Sequence, residues 1–378
     1  MTALDAFAVD AMLPALGQIG ADLQLQNDNQ RQLIITSLFL GFSLGVLFYG
    51  FVSDRYGRRP PVIAGFLIFC VASIICSLSN TIGTLLTGRI LQGIGAAGPY
   101  VIAVAIVRDR YEGRDMAQIM SLIMMVFIGV PMVAPFIGQQ LQHLAGWRSI
   151  FVALTIYSVV VLGWFHIRQP ETLHPDKRKP LTFASVSRAT LHILSNRISL
   201  SYLIVLGVIS GAFIAYLSTA QQVFHDMYGV GDKLPLTIAS LATMYGLACF
   251  TNARLVQALG MRRLVGYALL LVTVSSVLYA LLILIIGQNP ALPYHLVYMA
   301  IVIFSFGFLF ENVVTLSLEP MGELAGAAMS IITALSTLIA VAISYLIGVW
   351  LATTVLPIAV AFFLMCLCGY FVHRKALD

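Results

Sequence analysis

The sequence predicts an all-α integral membrane protein of twelve helices, arranged as two six-helix bundles. Of the 378 residues, 60% are hydrophobic and only 10% are charged, and the mean hydropathy is +0.94. Soluble domains carry about 25% charged residues, so this chain has too few charges to cover a surface in water. Apolar runs of membrane-spanning length recur along the chain, and lysine and arginine are concentrated in alternate connections between them.

The apolar runs define the individual spans, because a membrane helix needs about 20 apolar residues. The runs are predicted to be helical, since an open sheet edge is not tolerated in lipid. The first run starts at the first residue and is short, so we expect a first helix that is truncated at its N-terminus. The runs lie near residues 2–19, 32–53, 61–79, 82–107, 116–141, 147–167, 198–224, 233–256, 262–286, 294–316, 322–349 and 353–373.

Basic residues predict the orientation, because cytoplasmic connections of membrane proteins are enriched in lysine and arginine. Placing both termini in the cytoplasm puts all but four of the 21 basic residues in cytoplasmic segments. The net charge of +5 is therefore explained by topology, and no nucleic-acid partner is expected. The four exceptions are Arg31, Arg89, Arg148 and Lys233.

A polar segment, residues 168–197, divides the chain into halves 1–167 and 198–378 and is predicted to be a cytoplasmic linker. The halves resemble each other weakly, since GRR (57–59) after span two recurs as GMRR (260–263) after span eight. Parallel six-span repeats occur in secondary transporters, whose substrate site lies between the repeats near the bilayer midplane. We therefore expect two bundles and a central substrate site.

Two ionisable residues are predicted at one depth in the first half. Asp10 lies about ten residues before the periplasmic end of span one, and Arg89 lies about seven residues after the start of span four, so both are roughly 10–15 Å below that surface. Charges inside a membrane are costly and are functional candidates by default. A carboxylate that alternates between an apolar cavity and a guanidinium can load and release a proton. A static structural ion pair is the alternative.

Other polar residues of the spans are candidates for proton coupling or substrate binding. Asp5 is either a second proton site or a residue exposed at the shortened end of the first helix. Glu311 in span ten either selects cationic substrates, carries a proton or reaches the membrane surface. Asn312 beside it is predicted to line a substrate cavity. Tyr216 and Gln221 of span seven either line that cavity or form hydrogen bonds between helices.

Span five contains the stretch GVPMVAPFIG, residues 129–138. Pro131 and Pro135 each remove a hydrogen-bond donor and are expected to kink the helix. Gly129 and Gly138 permit close backbone contacts. The stretch therefore predicts a kinked helix with a small-residue face that suits a sliding interface, and the ordinary enrichment of glycine and proline in membrane helices is the alternative.

A tight charged turn, GFVSDRYGRRP at residues 50–60, separates spans two and three. Its glycines are expected to allow a positive φ at position 57 and close helix contact at position 50. Asp54 ends span two and opposes the helix dipole there, so it needs a partner, either Arg58 one turn on or the N-terminus of another helix. Glu319 and Glu323 near span eleven are candidate partners for the arginines of the turn. The candidate gate residues are Gly50, Asp54, Arg55, Gly57, Arg58 and Arg59.

Four stretches together resemble the major facilitator superfamily and, within it, the drug:H+ antiporters of the Bcr/CflA (bicyclomycin-resistance-like) group. The turn resembles the loop G-x3-D-R-x-G-R-R, and GRILQGIGAA (88–97) resembles the span-four pattern R-x2-Q-G. GVPMVAPFIG resembles the antiporter motif of span five, and DAMLPALGQIGADL (10–23) resembles the stretch D-x2-LPALP-x-I of the group, with Gly17 in place of a proline. The resemblance covers essentially the whole chain.

This resemblance implies alternating access and proton-driven export of small amphipathic compounds across a bacterial inner membrane. By position, it makes Asp10 the proton site, Arg89 its partner, and Asp54 with Arg55 and Arg58 the cytoplasmic gate. The expected partners are drug-like compounds, protons and the lipid bilayer. The proton gradient is expected to take the place of a cofactor, and the functional unit is expected to be a monomer.

Two other classes of function fit the residues less well than export does. A proton-coupled uptake symporter or a metabolite exporter has the same fold, but uptake of anions would favour more basic residues deep in the spans than Arg89 alone. A receptor or enzyme is disfavoured because the chain has no G-x4-G-K-[ST] loop for ATP and no spacing typical of metal ligands. The five cysteines all lie in apolar runs and are interpreted as small hydrophobic residues.

Overall fold

The computed structural model describes residues 1–178, 183–351 and 353–377, which form helices and short connections without a strand. Within these ranges, eleven helices are long and apolar enough to cross a membrane. The remaining predicted span, residues 2–19, corresponds to a broken helix. Contacts between the helices divide the chain into two compact units, Met1–Leu191 with Gly326–Ala334, and His192–Ala325 with Leu335–Asp378.

The first unit is built around its fourth membrane span. Its helices are α1 (Leu4–Asp10), α2 (Leu16–Asp22), α3 (Gln32–Tyr56), α4 (Arg59–Ser77), α5 (Ile82–Arg110), α6 (Gly113–Ala145) and α7 (Arg148–Arg168), and α8 (Phe183–Ser195) leads into the second unit. α5 packs against both α3 and α4, and α7 packs against α4. A Cβ on Gly93 of α5 would overlap the Leu38 carbonyl, and a Cβ on Gly41 of α3 would overlap the Ile90 carbonyl. Small residues thus bring the two backbones together, as in many membrane helix pairs.

The first span is broken near Pro14. α1 ends at Asp10, a 3-10 turn covers Leu13–Ala15, and α2 begins at Leu16. A proline inside a helix lacks the N–H donor and clashes with the preceding turn, which explains the break. Both α1 and the 3-10 turn pack against α6. The break therefore leaves Asp10 at the end of a short helix that is held inside the unit.

The second unit contains the later spans. Its helices are α9 (Arg197–Ala220), α10 (Leu234–Leu259), α11 (Met261–Ile286), α12 (Leu292–Leu318), α13 (Ala325–Trp350) and α14 (Leu356–Leu377). α14 packs against α9 and α11, while α12 packs against α9, α10 and α11. Asn196 caps α9 by accepting a hydrogen bond from the Ser199 N–H at 3.0 Å. α9 continues into a π-helical turn, Gln221–Met227.

The predicted spans two to twelve match observed helices to within a few residues at each end. Two features differ from the expected division of the chain. The polar linker contains the helix α8, and its residues 179–182 lie outside the described residues. The beginning of α13, Gly326–Ala334, belongs with the first unit, so the units are not strictly consecutive in sequence.

Candidate functional site

Arg89 of α5 is the centre of a buried polar cluster in the first unit. Its Nε donates to the Ile34 carbonyl at 2.9 Å, and its Nη1 donates to the Ala8 carbonyl at 3.1 Å and to Oε1 of Gln92 at 2.9 Å. Gln92 in turn donates to the Ser73 hydroxyl at 2.7 Å. Nη2 of Arg89 is buried without a hydrogen-bond partner in the described part of the chain. Arg89 therefore ties α1, α3 and α5 together and keeps part of its donor capacity unused.

The two acids of the first span lie in the helix that Arg89 contacts. Asp10 is buried and follows, by two residues, the Ala8 carbonyl that accepts from Arg89. Oδ1 of Asp5 is buried, and no described residue forms a hydrogen bond with it. Arg89 thus contacts the first span two residues from Asp10, and the predicted meeting of the Asp10 and Arg89 side chains stays a prediction. The predicted ion pair is absent among the described residues, because Arg89 donates to backbone carbonyls and to Gln92 instead.

One glycine of the span-five motif contacts the first span. A Cβ on Gly138 of α6 would overlap the carbonyl oxygen of Ala11, so only glycine permits this approach. α6 is thereby held against the backbone next to Asp10. Gly129, nine residues earlier in the same helix, has open space where its Cβ would lie. The predicted close contact is therefore found at Gly138, and at Gly129 it stays a prediction.

The two prolines of the motif lie inside α6, which runs as one helix from Gly113 to Ala145. Because proline has no N–H, Pro131 and Pro135 cannot donate to the carbonyl four residues earlier. The hydrogen-bond ladder is therefore weakened twice within one stretch of span five. A kink of functional importance at these positions stays a prediction.

The turn after α3 is held by a buried arginine. Nη1 of Arg58 donates to Oδ1 of Asp54 at 2.6 Å and to the Ser53 hydroxyl at 3.0 Å, and Nε donates to Oδ2 of Asp109 at 2.8 Å. Burial by itself lowers the pKa of Arg58, but hydrogen bonds and attraction to Asp109 and Asp54 outweigh it and leave the pKa raised. Of the two partners predicted for Asp54, the structure shows Arg58. Asp109, at the end of span four, completes the arrangement.

A carboxylate that follows span six caps the beginning of α4. Glu171 accepts hydrogen bonds from the backbone N–H groups of Arg58 at 2.8 Å and Arg59 at 3.0 Å. Burial alone raises the pKa of Glu171. The backbone N–H groups of Arg58, Arg59, Thr172 and Leu173 outweigh this effect and hold the pKa below its usual value. Gly57 has φ of +95°, and a Cβ there would lie 2.5 Å from Oε2 of Glu171. Glycine thus permits the turn, as predicted, and also leaves room for the capping carboxylate.

Sequence reasoning did not select Asp109 or Glu171. The hydroxyl of Thr172 donates to Oδ2 of Asp109 at 3.1 Å, and Nη2 of Arg59 donates to the His166 carbonyl at 2.5 Å. The ends of spans four and six are thereby joined to the turn. The sequence does contain a feature that indicates this role for Asp109 and Glu171. Both acids follow spans that end on the same predicted side of the membrane as the turn.

Two further gate candidates lie on α3. A Cβ on Gly50 would overlap the Ser330 hydroxyl, which belongs to the segment Gly326–Ala334 of the same unit. This agrees with the predicted close approach of span two to a neighbour. Arg55 is exposed, and its guanidinium carbon lies 5.2 Å from the centroid of the Tyr56 ring. A gate function of these residues stays a prediction.

The candidates of the second unit do not share one cluster. Nδ2 of Asn312 donates to Oδ1 of Asn252 at 2.7 Å, which joins α12 to α10. Nε2 of Gln221 donates to Oδ1 of Asp226 at 3.0 Å within the π-helical turn. Tyr216 lines a small pocket. Binding of substrate by these residues stays a prediction, although Asn312 already has a partner on a neighbouring helix.

The acids predicted near spans ten and eleven have separate surroundings. Glu311 is exposed on α12, and no role for it is settled by its position. Glu319 forms an ion pair with Arg262 at 3.2 Å within the second unit. The pairing of Glu319 with an arginine of the 50–60 turn stays a prediction, and the side chain of Glu323 lies outside the described residues.

Long apolar helices in two units, with a buried arginine and acids inside the membrane, define a multi-span membrane protein of the transporter class. A family model described as Major Facilitator Superfamily matches residues 1–344. The chain belongs to this superfamily, which confirms the resemblance inferred from the motifs. It is a transporter of small molecules rather than an enzyme, as predicted.

Curated relatives with sequence similarity come from several bacteria. The chain is 29% identical to the uncharacterized MFS-type transporter YdgK of Bacillus subtilis, over 96% of the chain and 89% of YdgK. It is 26% identical to the bicyclomycin resistance protein homolog of Haemophilus influenzae, over 88% of the chain and 83% of that protein. It is 32% identical to the multidrug resistance protein MdtL of Shigella dysenteriae, over 62% of the chain and 58% of MdtL.

Solved structures share the fold at low sequence identity. The human organic anion transporter MFSD10 (TETRAN) superposes with a TM-score of 0.72 at 18% identity, over 99% of this chain and 96% of that one. A D-xylose–proton symporter superposes with a TM-score of 0.78 at 15% identity, over 100% of this chain and 95% of that one. These structural similarities confirm the predicted architecture, which is the twelve-helix fold of major facilitator proteins.

Proposed function

We propose that this protein exports small amphipathic compounds from the bacterial cytoplasm in exchange for protons, by alternating access. The names of two relatives, a bicyclomycin resistance protein homolog and the multidrug resistance protein MdtL, support the class of substrate. The observation that carries the proton coupling is the buried Asp10, in a span that Arg89 holds by a backbone carbonyl.

The proposed proton chemistry follows from the cost of burying charge. A carboxylate that is buried without a cation is strongly destabilised unless it takes up a proton. After release of the proton, the carboxylate needs a cation, and Arg89 has the unused donor Nη2. Asp10 would thus alternate between a neutral form without a partner and a charged form paired with Arg89. Asp5, with its own unsatisfied oxygen, is the candidate for a second proton site.

The contact made by Gly138 connects the span-five motif to this proton cycle. It lets α6 lie against the Ala11 carbonyl, directly after Asp10. A movement of α6 would therefore displace the residue that carries the proton. This contact is a physical route by which the span-five motif would influence coupling.

The charged turn is proposed to be a latch of the cytoplasmic side. Arg58 bonds Asp54 and Asp109, and Glu171 caps α4, so several span ends are fixed together when these bonds are intact. The replacement Asp54→Asn is expected to weaken closure and to slow transport while substrate binding is retained. Equilibrium dye binding and transport, measured on the same preparation, test this; lost binding with unchanged transport would contradict it.

Proton release on substrate binding tests the coupling directly. Purified protein in weak buffer with a pH indicator is mixed with an amphipathic cationic dye such as ethidium. The wild type is expected to release protons, whereas Asp10→Asn is expected to bind dye and release none. Asp115→Asn, which removes an exposed acid at the start of α6, is the matched control and should behave as the wild type. Normal proton release by Asp10→Asn would reject Asp10 as the coupling site.

Direction of transport separates export from uptake. In inverted vesicles with an acidic interior, the outward flow of protons is expected to drive dye accumulation by an antiporter. Accumulation of solute in right-side-out vesicles, with protons moving in the same direction, would instead support the symporter alternative.

The proposal includes a location and a state of assembly. The predicted positions of the basic residues support an inner-membrane protein with its C-terminus in the cytoplasm. The proposed functional unit is a monomer that uses the proton gradient and no cofactor. Labelling of a cysteine introduced after Lys375, in intact and in opened cells, tests the orientation.

A further inference from the structure

We propose that Trp147 is a positioning residue, which fixes the two pieces of the broken first span relative to each other. Trp147 directly precedes α7 and is 1% exposed, and its Nε1 donates to Oδ2 of Asp22 at 2.8 Å. Asp22 is the last residue of α2, the piece that follows the break near Pro14. This role rests on the proposed function, in which Asp10 and Arg89 carry the proton coupling.

The break leaves α2 without a continuous hydrogen-bond ladder to α1. A turn at residues 11–12 and the 3-10 turn Leu13–Ala15 separate the two helices, and the proline in that turn has no N–H to donate. α2 has only seven residues, and a helix this short gains little stability from its own backbone bonds. The position of α2 must therefore come from side-chain contacts with its neighbours.

The ring of Trp147 also leads to the arginine that holds α1. Trp147 packs edge-on against Phe151, with the ring centroids 6.0 Å apart. Phe151 is buried, and its ring centroid lies 5.9 Å from the guanidinium carbon of Arg89, a distance at which a cation and an aromatic ring attract each other. Arg89 in turn donates to the Ala8 carbonyl. A row of buried side chains therefore joins the end of α2 to α1.

A third aromatic side chain of the same span contacts α1 directly. Tyr157 of α7 stacks on Phe7 with the ring centroids 5.9 Å apart, and Phe7 lies between Asp5 and Asp10 in the sequence. The ten residues from Trp147 to Tyr157 span about 15 Å along the helix. α7 has no proline, so it offers both pieces of the first span one unbroken reference.

Arg148 covers the contact on its exposed side. Its guanidinium carbon lies 4.2 Å from the centroid of the Trp147 ring, and its Nη2 donates to the Ser79 carbonyl at 2.8 Å. Its Nη1 lies 4.0 Å from Oδ2 of Asp22, but the side chains of Arg148 and Asp22 are 39% and 43% exposed, so solvent weakens this ion pair. The hydrogen bond from the buried indole therefore fixes Asp22, and an acceptor oxygen at position 22 should suffice without the charge.

Protons released per bound dye molecule, measured on the purified full chain, test the positioning role. Asp22→Leu removes the acceptor at a half-exposed position. It is expected to bind dye and to lower the number of released protons about fivefold, the change in population that loss of one hydrogen bond produces. Asp22→Asn keeps an oxygen for the indole and should retain the wild-type ratio. Trp147→Phe keeps an aromatic ring without the N–H, so it should match Asp22→Leu, and the double variant should lower the ratio no further.

The hydrogen bond itself can be followed by resonance Raman spectroscopy of the indole N–H. The other two tryptophans, Trp164 and Trp350, are exposed, so replacing both by phenylalanine leaves Trp147 as the single reporter. The band should indicate a hydrogen bond in this background and in Asp22→Asn, and should lose that character in Asp22→Leu. Trp164→Phe alone is the matched control, since it lies in the same helix, and its proton ratio should equal that of the wild type.

Two results would overturn the role of Trp147. One is a normal proton ratio in Asp22→Leu and Trp147→Phe although the Raman band shows that the bond is lost. The other is an equal loss in Asp22→Asn and Asp22→Leu, which would assign the effect to the ion pair with Arg148. Failure of the proposed coupling gives a different pattern. Normal proton release by Asp10→Asn, together with reduced release by Asp22→Leu, would reject Asp10 as the proton site and retain Trp147 as the residue that positions the first span.

Discussion

Replacement of Gly138 by alanine should destabilise the protein, although alanine is the better helix former. The Cβ of the new residue would overlap the carbonyl oxygen of Ala11, which is backbone and cannot rotate away. Either α6 or the first span must therefore move. Gly129→Ala is the matched control, because Gly129 lies in the same helix and has open space around it.

The expected magnitude follows from two opposing terms. Alanine is favoured over glycine inside a helix by about 1 kcal/mol, and this gain applies to both variants. Overpacking of a well-packed contact costs about 1–3 kcal/mol and applies only to Gly138→Ala. Because the helix term cancels, the free energies of unfolding of the two variants should differ by about 1–3 kcal/mol. Gly129→Ala should be slightly more stable than the wild type.

Unfolding in mixed micelles, followed by circular dichroism as the denaturing detergent is increased, measures this difference. The proton-release experiment on the same variants adds a functional reading, since Asp10 precedes the displaced Ala11. Gly138→Ala is expected to release fewer protons on dye binding, and Gly129→Ala is expected to match the wild type. Equal stability of the two variants would refute the contact, and normal proton release by a destabilised Gly138→Ala would separate packing from coupling.

Three further predictions concern the turn and the second unit. Gly57→Ala and Gly260→Ala both place alanine in a backbone region that only glycine occupies easily, which costs about 1–3 kcal/mol. Only Gly57→Ala also displaces the carboxylate of Glu171, so Gly57→Ala should lower the melting temperature more than Gly260→Ala does. Equal shifts of the melting temperature would contradict the capping of α4 by Glu171. The folded pKa of Glu171 is lowered, so its stabilisation is complete above the unfolded pKa of about 4.3 and is lost as pH falls through the folded pKa. The difference in melting temperature between the wild type and Glu171→Gln should therefore become smaller in acid. A difference that does not change with pH would show that the ionised form of Glu171 does not stabilise the fold. Asn312→Leu should cost roughly 0.6–2 kcal/mol of stability through the lost bond to Asn252; weaker dye binding at unchanged stability would instead support the cavity role.

The spans were predictable because membrane helices are specified by local properties, namely length, apolar composition and the distribution of basic residues. The turn at Gly57 was predictable for a similar reason, since a glycine between a helix end and a proline-rich helix start favours a positive φ. The partner of Asp54 one helical turn away also follows from local spacing. Each of these properties is encoded within a few consecutive residues.

Contacts between distant segments were not predictable in the same way. Gly129 and Gly138 have the same chemistry in one motif, and only the path of the first span decides which of them is in contact. Asp109 and Glu171 acquire their roles from helices that are brought to Arg58 by tertiary packing. Depth along the membrane normal can be estimated from sequence, but rotation of a helix about its axis depends on its neighbours.

The turn after α3 and the related turn after α10 differ in how strongly their ion pairs can stabilise the fold. In the first unit, the side chains of Arg58 and Asp109 are 5% and 15% exposed, whereas those of Arg262 and Glu319 in the second unit are 44% and 52% exposed. Exposed ion pairs contribute about 0–1 kcal/mol, while breaking a buried pair by removing one partner costs several kcal/mol. Gln257 also stands in the second unit where Asp54 stands in the first, so that turn lacks one carboxylate. Making and breaking the network around Arg58 therefore changes the energy far more than the same event at Arg262, which is why the proposed latch is assigned to the first turn alone.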